Sequence, residues 1–173
     1  MTLEEKNHQI IDLTILLPTY NESSTIEKML DSITTTMPSK INTEVIVIDD
    51  NSPDGTSKIV NSYIQKSEAK ISFKIHTRKD KRGLGSAIVD GIDLASGKFV
   101  LVMDSDFSHP PEKILDMYNE LANNGFDIVI GSRYVTDGMI ESWPLSRKLI
   151  SKIGNGLAKL WLRLDVNDTM SGF

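Results

Sequence analysis

Cysteine is absent from the chain. Disulfides, zinc–thiolate centres and cysteine nucleophiles are thereby excluded. Histidine is scarce, and His8, His76 and His109 stand too far apart to give a metal-ligand spacing. The Gly-x-Ser-x-Gly of a serine-hydrolase elbow is missing too. Long apolar runs are lacking: the longest clear one, Phe99 to Met103, is far below the roughly 20 residues of a membrane helix. Met1 to Gln9 is polar and acidic, with no apolar core segment, so the start does not read as a secretory signal. Basic charge is in deficit, 19 Lys and Arg against 24 Asp and Glu, for a net charge of -5. That balance argues against sequence-independent binding of nucleic acid. With 173 residues, 39% hydrophobic and 25% charged, the chain reads as one ordinary domain in the cytoplasm.

Short apolar runs alternate with helical patterns. The runs are Leu13 to Leu17, Val45 to Ile48, Ile71 to Ile75, Phe99 to Met103 and Ile128 to Ile130. Runs apolar on both faces, with helices between them, predict an α/β fold: a mostly parallel sheet covered by helices on both faces. Helices are predicted from Glu22 to Ile33, after Asp54-Gly55-Thr56, from Gly85-Ser86 to near Gly97, and from Pro110-Pro111-Glu112 to near Gly125. A fifth pattern, Leu145, Leu149, Ile153, Leu157, Leu160 and Leu164, accompanies five basic residues and no acid between Trp143 and Leu164. It predicts an amphipathic helix whose basic face is either simply solvated or meets anionic lipid phosphates.

In such sheets ligands sit beyond the carboxyl ends of the strands. Four exits follow, after Leu17, Ile48, Met103 and Ile130. Pro18-Thr19-Tyr20-Asn21-Glu22 follows the first; Pro18 is expected to stop ladder pairing. Tyr20 could stack on a base and Glu22 could accept from base or ribose, against a tight turn capped by Asn21 or Ser23. Asp49-Asp50-Asn51-Ser52-Pro53-Asp54-Gly55-Thr56 follows the second. Its end reads as an Asx turn and helix cap. The adjacent carboxylates of Asp49 and Asp50 repel unless a positive or hydrogen-bonding group is near, and at most one faces a ligand. Asp104-Ser105-Asp106 follows the fourth strand. Two carboxylates one residue apart can converge on a hard cation, Mg2+ or Mn2+, unless the loop is only a solvated turn. Gly83-Leu84-Gly85-Ser86 lacks the third glycine of a dinucleotide fingerprint and reads as a turn into a helix.

Together these segments resemble the catalytic domain of the dolichyl-phosphate mannose synthases, in glycosyltransferase family two. The resemblance rests on residues 18–22, 49–56, 83–87, 104–112, Gly-Ser-Arg-Tyr at 131–134 and Ser-Gly-Phe at 171–173. It implies the GT-A nucleotide-diphospho-sugar transferase fold over one domain, 1–173. It implies an inverting transfer of mannose from GDP-mannose to dolichyl or polyprenyl phosphate, with GDP leaving. Pro18, Tyr20, Glu22, Ile48 and Asp50 would hold the nucleotide. Asp104 and Ser105 would touch ribose or diphosphate, and Asp106 would bind the divalent metal. Ser108 stands where many relatives carry a glutamine metal contact. Arg133 would reach the sugar-phosphate region, Arg147 the acceptor phosphate. The acceptor implies peripheral contact with the cytoplasmic face of a membrane.

Met170 departs from the family's closing Asp-x-Thr-Ser-Gly-Phe, and relatives continue past that motif, so a truncated form is expected. Two other readings compete. One keeps the chemistry and takes a UDP-sugar donor of the glucose type. The other is a nucleotide-sugar-binding module without turnover.

Overall fold

The computed structural model describes residues 10–79, 83–132, 145–162, 168 and 171–173. Contacts group the chain into two compact units, Met1–Asn119 and Glu120–Phe173. The first is built on strands β1 (Leu13–Thr19), β2 (Thr43–Asp49), β3 (Ser72–Thr77) and β4 (Phe99–Val102), all parallel, in the order β3-β2-β1-β4. Helices α1 (Ile26–Thr36), α2 (Thr56–Lys66) and α3 (Leu84–Leu94) make the crossovers. Two crossovers step one way along the sheet and the third steps back over β1. Right-handed connections therefore put α1 and α2 on one face and α3 on the other. The predicted α/β sheet, helices on both faces, is what forms.

Burial follows the order. The inner strands β1 and β2 are buried on both faces, which is why they read as continuous apolar runs. Edge strand β3 alternates exposed and half-buried residues, and it is shifted from the predicted run to Ser72–Thr77. On the α3 side Leu16, Ile46, Ile48 and Ala87 form one cluster with Val102 against it. At Gly91 a Cβ would lie 2.9 Å from Leu16 Cδ1, so glycine lets α3 sit close to the sheet.

Pro18 does not end β1. The strand runs on to Thr19, with Pro18 opposite Ile48. The reason is register. Thr19 O accepts from Asp50 N on the β2 side, and Leu16 O accepts from Met103 N on the β4 side. Alternate residues bond to opposite sides, so the missing N–H of Pro18 faces β4, whose pairing with β1 ends at Leu16↔Val102. Helix α1 also begins later than predicted. Residues 23–25 form a turn, and Thr25 rather than Asn21 or Ser23 is the N-cap, without a side-chain capping bond. The amides of 21–23 are bonded elsewhere, as shown below.

A 3-10 turn at Pro111–Lys113 leads into α4 (Ile114–Asn124), with proline in its first turn as predicted. Gly125 follows at φ 69°, the left-handed stop that glycine supplies. In the second unit α5 spans Leu145–Leu162, as the apolar spacing predicts. The predicted strand at Ile128–Ile130 does not form: Ile128 is 76% exposed. The backbone just after it bonds instead to the terminal segment, Gly131 N to Phe173 O at 2.7 Å and Ser171 Oγ to Gly131 O at 2.6 Å. Two of the resemblance motifs thereby meet. Among the described residues no helix is long and apolar enough to cross a membrane.

Candidate active site

The chain steps from β3 back across β1 to β4, so strand order reverses between β1 and β4. Open parallel sheets bind ligands at that reversal, outside the carboxyl ends of the strands. Pro18, Tyr20 and Glu22 leave β1 there, Asp104, Ser105, Asp106 and Ser108 leave β4, and Asp50 leaves β2 next door. These predicted residues are thus brought to three adjacent strand ends. Ile48 differs: its side chain is fully buried in the α3-facing cluster, so only its backbone could meet a ligand. Arg133 lies outside the described residues, and Arg147 is carried by α5.

Asp49 and Asp50 divide the work between them. Asp49 is fully buried and accepts from Ser52 N at 3.0 Å, Ser52 Oγ at 2.5 Å, Ser57 Oγ at 2.6 Å and Thr19 Oγ1 at 3.2 Å. It organises the turn. Asp50 pairs with Arg78 and accepts from Gly83 N at 3.2 Å. The guanidinium of Arg78 is nearly sealed from solvent and also reaches Ser86 Oγ, Asp90 Oδ2 and Gly83 O. Parallel register delivers it: Thr77 pairs with Asp49, and Arg78 N then donates to Asp49 O at 2.8 Å. This cation is the positive group that lets two carboxylates stand together, and hydropathy gave no sign of it. Gly83, at φ 84° and ψ 171°, holds a conformation open essentially to glycine alone.

The β1 exit is held through Asp54, Ser52 and Thr56. Asn21 N donates to Ser52 Oγ at 2.9 Å, Glu22 N to Thr56 Oγ1 at 3.0 Å, and Ser23 N to Asp54 Oδ2 at 2.9 Å. Burial pushes the Asp54 carboxyl up, but the hydroxyl and N–H of Thr56 and the Ser23 donors outweigh it, bringing the group to about 2. Glu22 accepts from Thr25 Oγ1 at 2.7 Å. Asn21 and Asn51, one on each of these exits, take positive φ, where asparagine is among the tolerated residues.

The β4 exit is more open. Asp104 N donates to His109 Nδ1 at 2.9 Å. Asp106 is exposed, and its Oδ1 accepts from Ser108 N at 2.8 Å. Partial burial raises the Asp106 carboxyl, while the Ser108 hydroxyl and N–H and the neighbouring His109 pull it down further, leaving it below the ordinary value. Phe107 takes φ 64°, strained for a bulky side chain, and is exposed, as Tyr20 is on the neighbouring exit. Ser105 Oγ is buried and has no hydrogen-bond partner among the described residues.

A divalent cation fits this donor set in a limited way. Among the described residues no group of three His, Cys, Asp or Glu could cage one. Asp104 and Asp106 offer hard oxygens, Asp106 in ionised form, which is the pattern of a cation that shares its coordination with substrate phosphates and water. Ser108 spends its amide on Asp106, supporting that carboxylate.

The sequence profile described as Glycosyl transferase family 2 matches residues 14–173, and the chain belongs to that family. It is 40% identical over 163 residues to a dolichol-phosphate mannosyltransferase of Pyrococcus furiosus, covering 93% of this chain and 45% of the relative. It is 32% identical over 162 residues to a polyprenol monophosphomannose synthase of Mycolicibacterium smegmatis, covering 92% and 59%. The chain thus spans about half the length of the curated relatives it matches. A mannosyltransferase from Pyrobaculum calidifontis, solved in complex with GDP-Man and Mn2+, superposes with a TM-score of 0.58 at 27% identity, covering 71% of this chain and 35% of that one. S. aureus TarS 1-349 superposes at 0.61 and 26% identity, covering 77% and 39%.

Proposed function

We propose that the chain is the nucleotide-sugar half of an inverting mannosyltransferase that moves mannose from GDP-mannose to a polyprenyl phosphate. One observation carries the reading. Tyr20, Glu22, Asp50, Asp104 and Asp106 leave three adjacent strand ends beside the strand-order reversal, in a chain 40% identical to a dolichol-phosphate mannosyltransferase. On this reading the 173 residues act as one GT-A domain.

The acceptor is an ionised phosphate whose oxygen attacks the anomeric carbon in line while GDP leaves. Such a nucleophile needs no strong general base, so the protein's part is positioning and electrostatics. Tyr20, with Pro18 beside it, packs the base, and Glu22 and Asp50 take the nucleoside end. Asp104 and Ser105 meet ribose or diphosphate. Asp106 would hold a Mg2+ or Mn2+, which offsets charge on the departing diphosphate. Arg133 and Arg147 are assigned to the sugar phosphate and the acceptor phosphate by their motif positions. The five basic residues between Trp143 and Leu164 would bring the domain to an anionic membrane surface, each contributing roughly 1 kcal/mol there.

Titration calorimetry with GDP-mannose, GDP and UDP-glucose, with Mn2+ or with chelator, tests the donor. GDP-mannose should bind only with metal, and Asp106→Ala should abolish that metal dependence while moving the urea midpoint little. Binding of UDP-glucose alone would replace the donor assignment. Donor binding without product on a short polyprenyl phosphate would leave a binding module.

A further inference from the structure

We propose that Ser52, Asp54 and Thr56 are positioning residues of the nucleotide site, which fix the β1 exit in its binding shape before any ligand arrives. The inference rests on the reading of this crevice as a nucleotide-sugar site. It concerns residues that touch no ligand in that reading.

The argument starts from proton direction. Ser52 Oγ donates its proton to Asp49 Oδ1, and Thr56 Oγ1 donates its proton to Asp54 Oδ1 at 2.7 Å. Each hydroxyl then has only lone pairs to offer its other neighbour. Those lone pairs accept from Asn21 N and Glu22 N, while Asp54 Oδ2 accepts from Ser23 N directly. Three successive amides of one exit are thereby answered by three side chains of the next. Two of the links run amide to hydroxyl to carboxylate, an order in which each bond polarises the one before it. Asp54 stays anchored, because it also accepts from Thr56 N at 3.0 Å.

Two consequences follow. Successive amides at a turn are the means by which loops hold phosphate. Here the chain's own oxygens occupy them, so the β1 exit is closed to the diphosphate and is left to meet the nucleoside end. Second, Tyr20 adjoins these immobilised amides and Glu22 carries one of them. Donor binding is therefore spared the ordering of this loop, a saving that appears as affinity.

Amide hydrogen exchange by NMR and calorimetry with GDP and Mn2+ test the proposal together. Thr56→Val removes the hydroxyl and keeps the shape; Thr56→Ser restores the hydroxyl. In the free protein, Thr56→Val should speed exchange at Asn21, Glu22 and Ser23 and leave β1 core amides such as Ile15 protected. It should weaken GDP by about tenfold and raise the donor KM more than it lowers kcat, with Thr56→Ser within about twofold of the parent. Because Thr56 is fully buried, Asp54→Asn, at an exposed position, gives a second route to the same pattern if Thr56→Val does not fold. Faster loop exchange with unchanged GDP affinity would overturn the positioning role and leave the functional reading standing. Failure of the unaltered chain to bind any nucleoside diphosphate would overturn both.

Discussion

The β1 and β2 exits and the β4 exit lie side by side at one end of the sheet, and they are built on different plans. At the first pair, bonds run between loops far apart in sequence: Asn21 to Ser52, Ser23 to Asp54, Arg78 to Asp50. Among the described residues the β4 exit carries bonds inside its own loop, Asp104 to His109 and Ser108 to Asp106. There too a buried hydroxyl, Ser105 Oγ, lacks a partner among the described residues, and Phe107 sits at φ 64°. On the proposed function, the difference assigns two tasks to these strand ends. One side is finished before the ligand comes and selects by fit. The other offers the ionised Asp106 carboxylate and the buried Ser105 hydroxyl, and on the proposed function a diphosphate with its cation would complete it.

The comparison is broken most severely at Arg78. Its guanidinium answers Asp50 and Asp90 and is 2% exposed. Arg78→Met would leave the buried Asp50 carboxylate without its cation, a loss of about 3–5 kcal/mol by the cost of halving a buried pair. Arg78→Lys should recover little, since one ammonium cannot serve four acceptors arranged around a planar fork. Urea unfolding measures this directly. A stability loss below about 1 kcal/mol would mean that the β2 exit is not held by this cation.

A second test sharpens the contrast through its sign. At the β4 exit the free protein carries cost rather than support. Ser105→Ala removes an unmet buried hydroxyl, and Phe107→Gly relieves a left-handed backbone. Each should stabilise the free domain by up to about 1–2 kcal/mol. Ser105→Ala should at the same time weaken GDP-mannose, so stability and affinity move in opposite directions. Loss of stability in both variants would show that this exit is as finished as its neighbours.

The frame was legible because its signals are local. Both-face burial makes β1 and β2 continuous apolar runs. The three-and-four spacing marks the later turns of α1 and most of α2 and α5, and Gly83 and Pro111 punctuate where backbone geometry demands them. The crevice was legible to the same degree, since strand exits follow from strands. What stayed hidden depends on neighbours. Arg78 follows an edge strand with lysine and histidine in it, and only the order β3-β2 puts it beside Asp50, 28 residues earlier in the chain. The clasp between 21–23 and 52–56 needs β1 and β2 in register. Ile128–Ile130 shows the converse: a short apolar run has strand composition, yet a strand exists only where another backbone pairs with it.

The mildest expected effect concerns acid. Asp54 is exposed, and its carboxyl falls from 3.8 to about 2 through the donors of Thr56 and Ser23. A folded value below the unfolded one means that the folded state holds its proton less tightly. The contribution of Asp54 is therefore complete above the unfolded value of 3.8 and is lost as pH falls through about 2. Solvent screens an exposed group, so the energy is well below that of Arg78, and added salt should shrink it further. Asp106 shifts in the same direction, with its neighbours inside its own loop. The two exits should then respond differently below pH 4. Protonating Asp54 releases Ser23 N and loosens a joint between two strand exits, whereas protonating Asp106 releases Ser108 N within its own loop. Exchange at the amides of 21–23, followed from pH 5 down to pH 2.5 and corrected for intrinsic rates, should lose protection through this window. Asp54→Asn should flatten that dependence. A pH-independent protection factor in the unaltered chain would show that the hydroxyls of Ser52 and Thr56 hold the loop without the carboxylate.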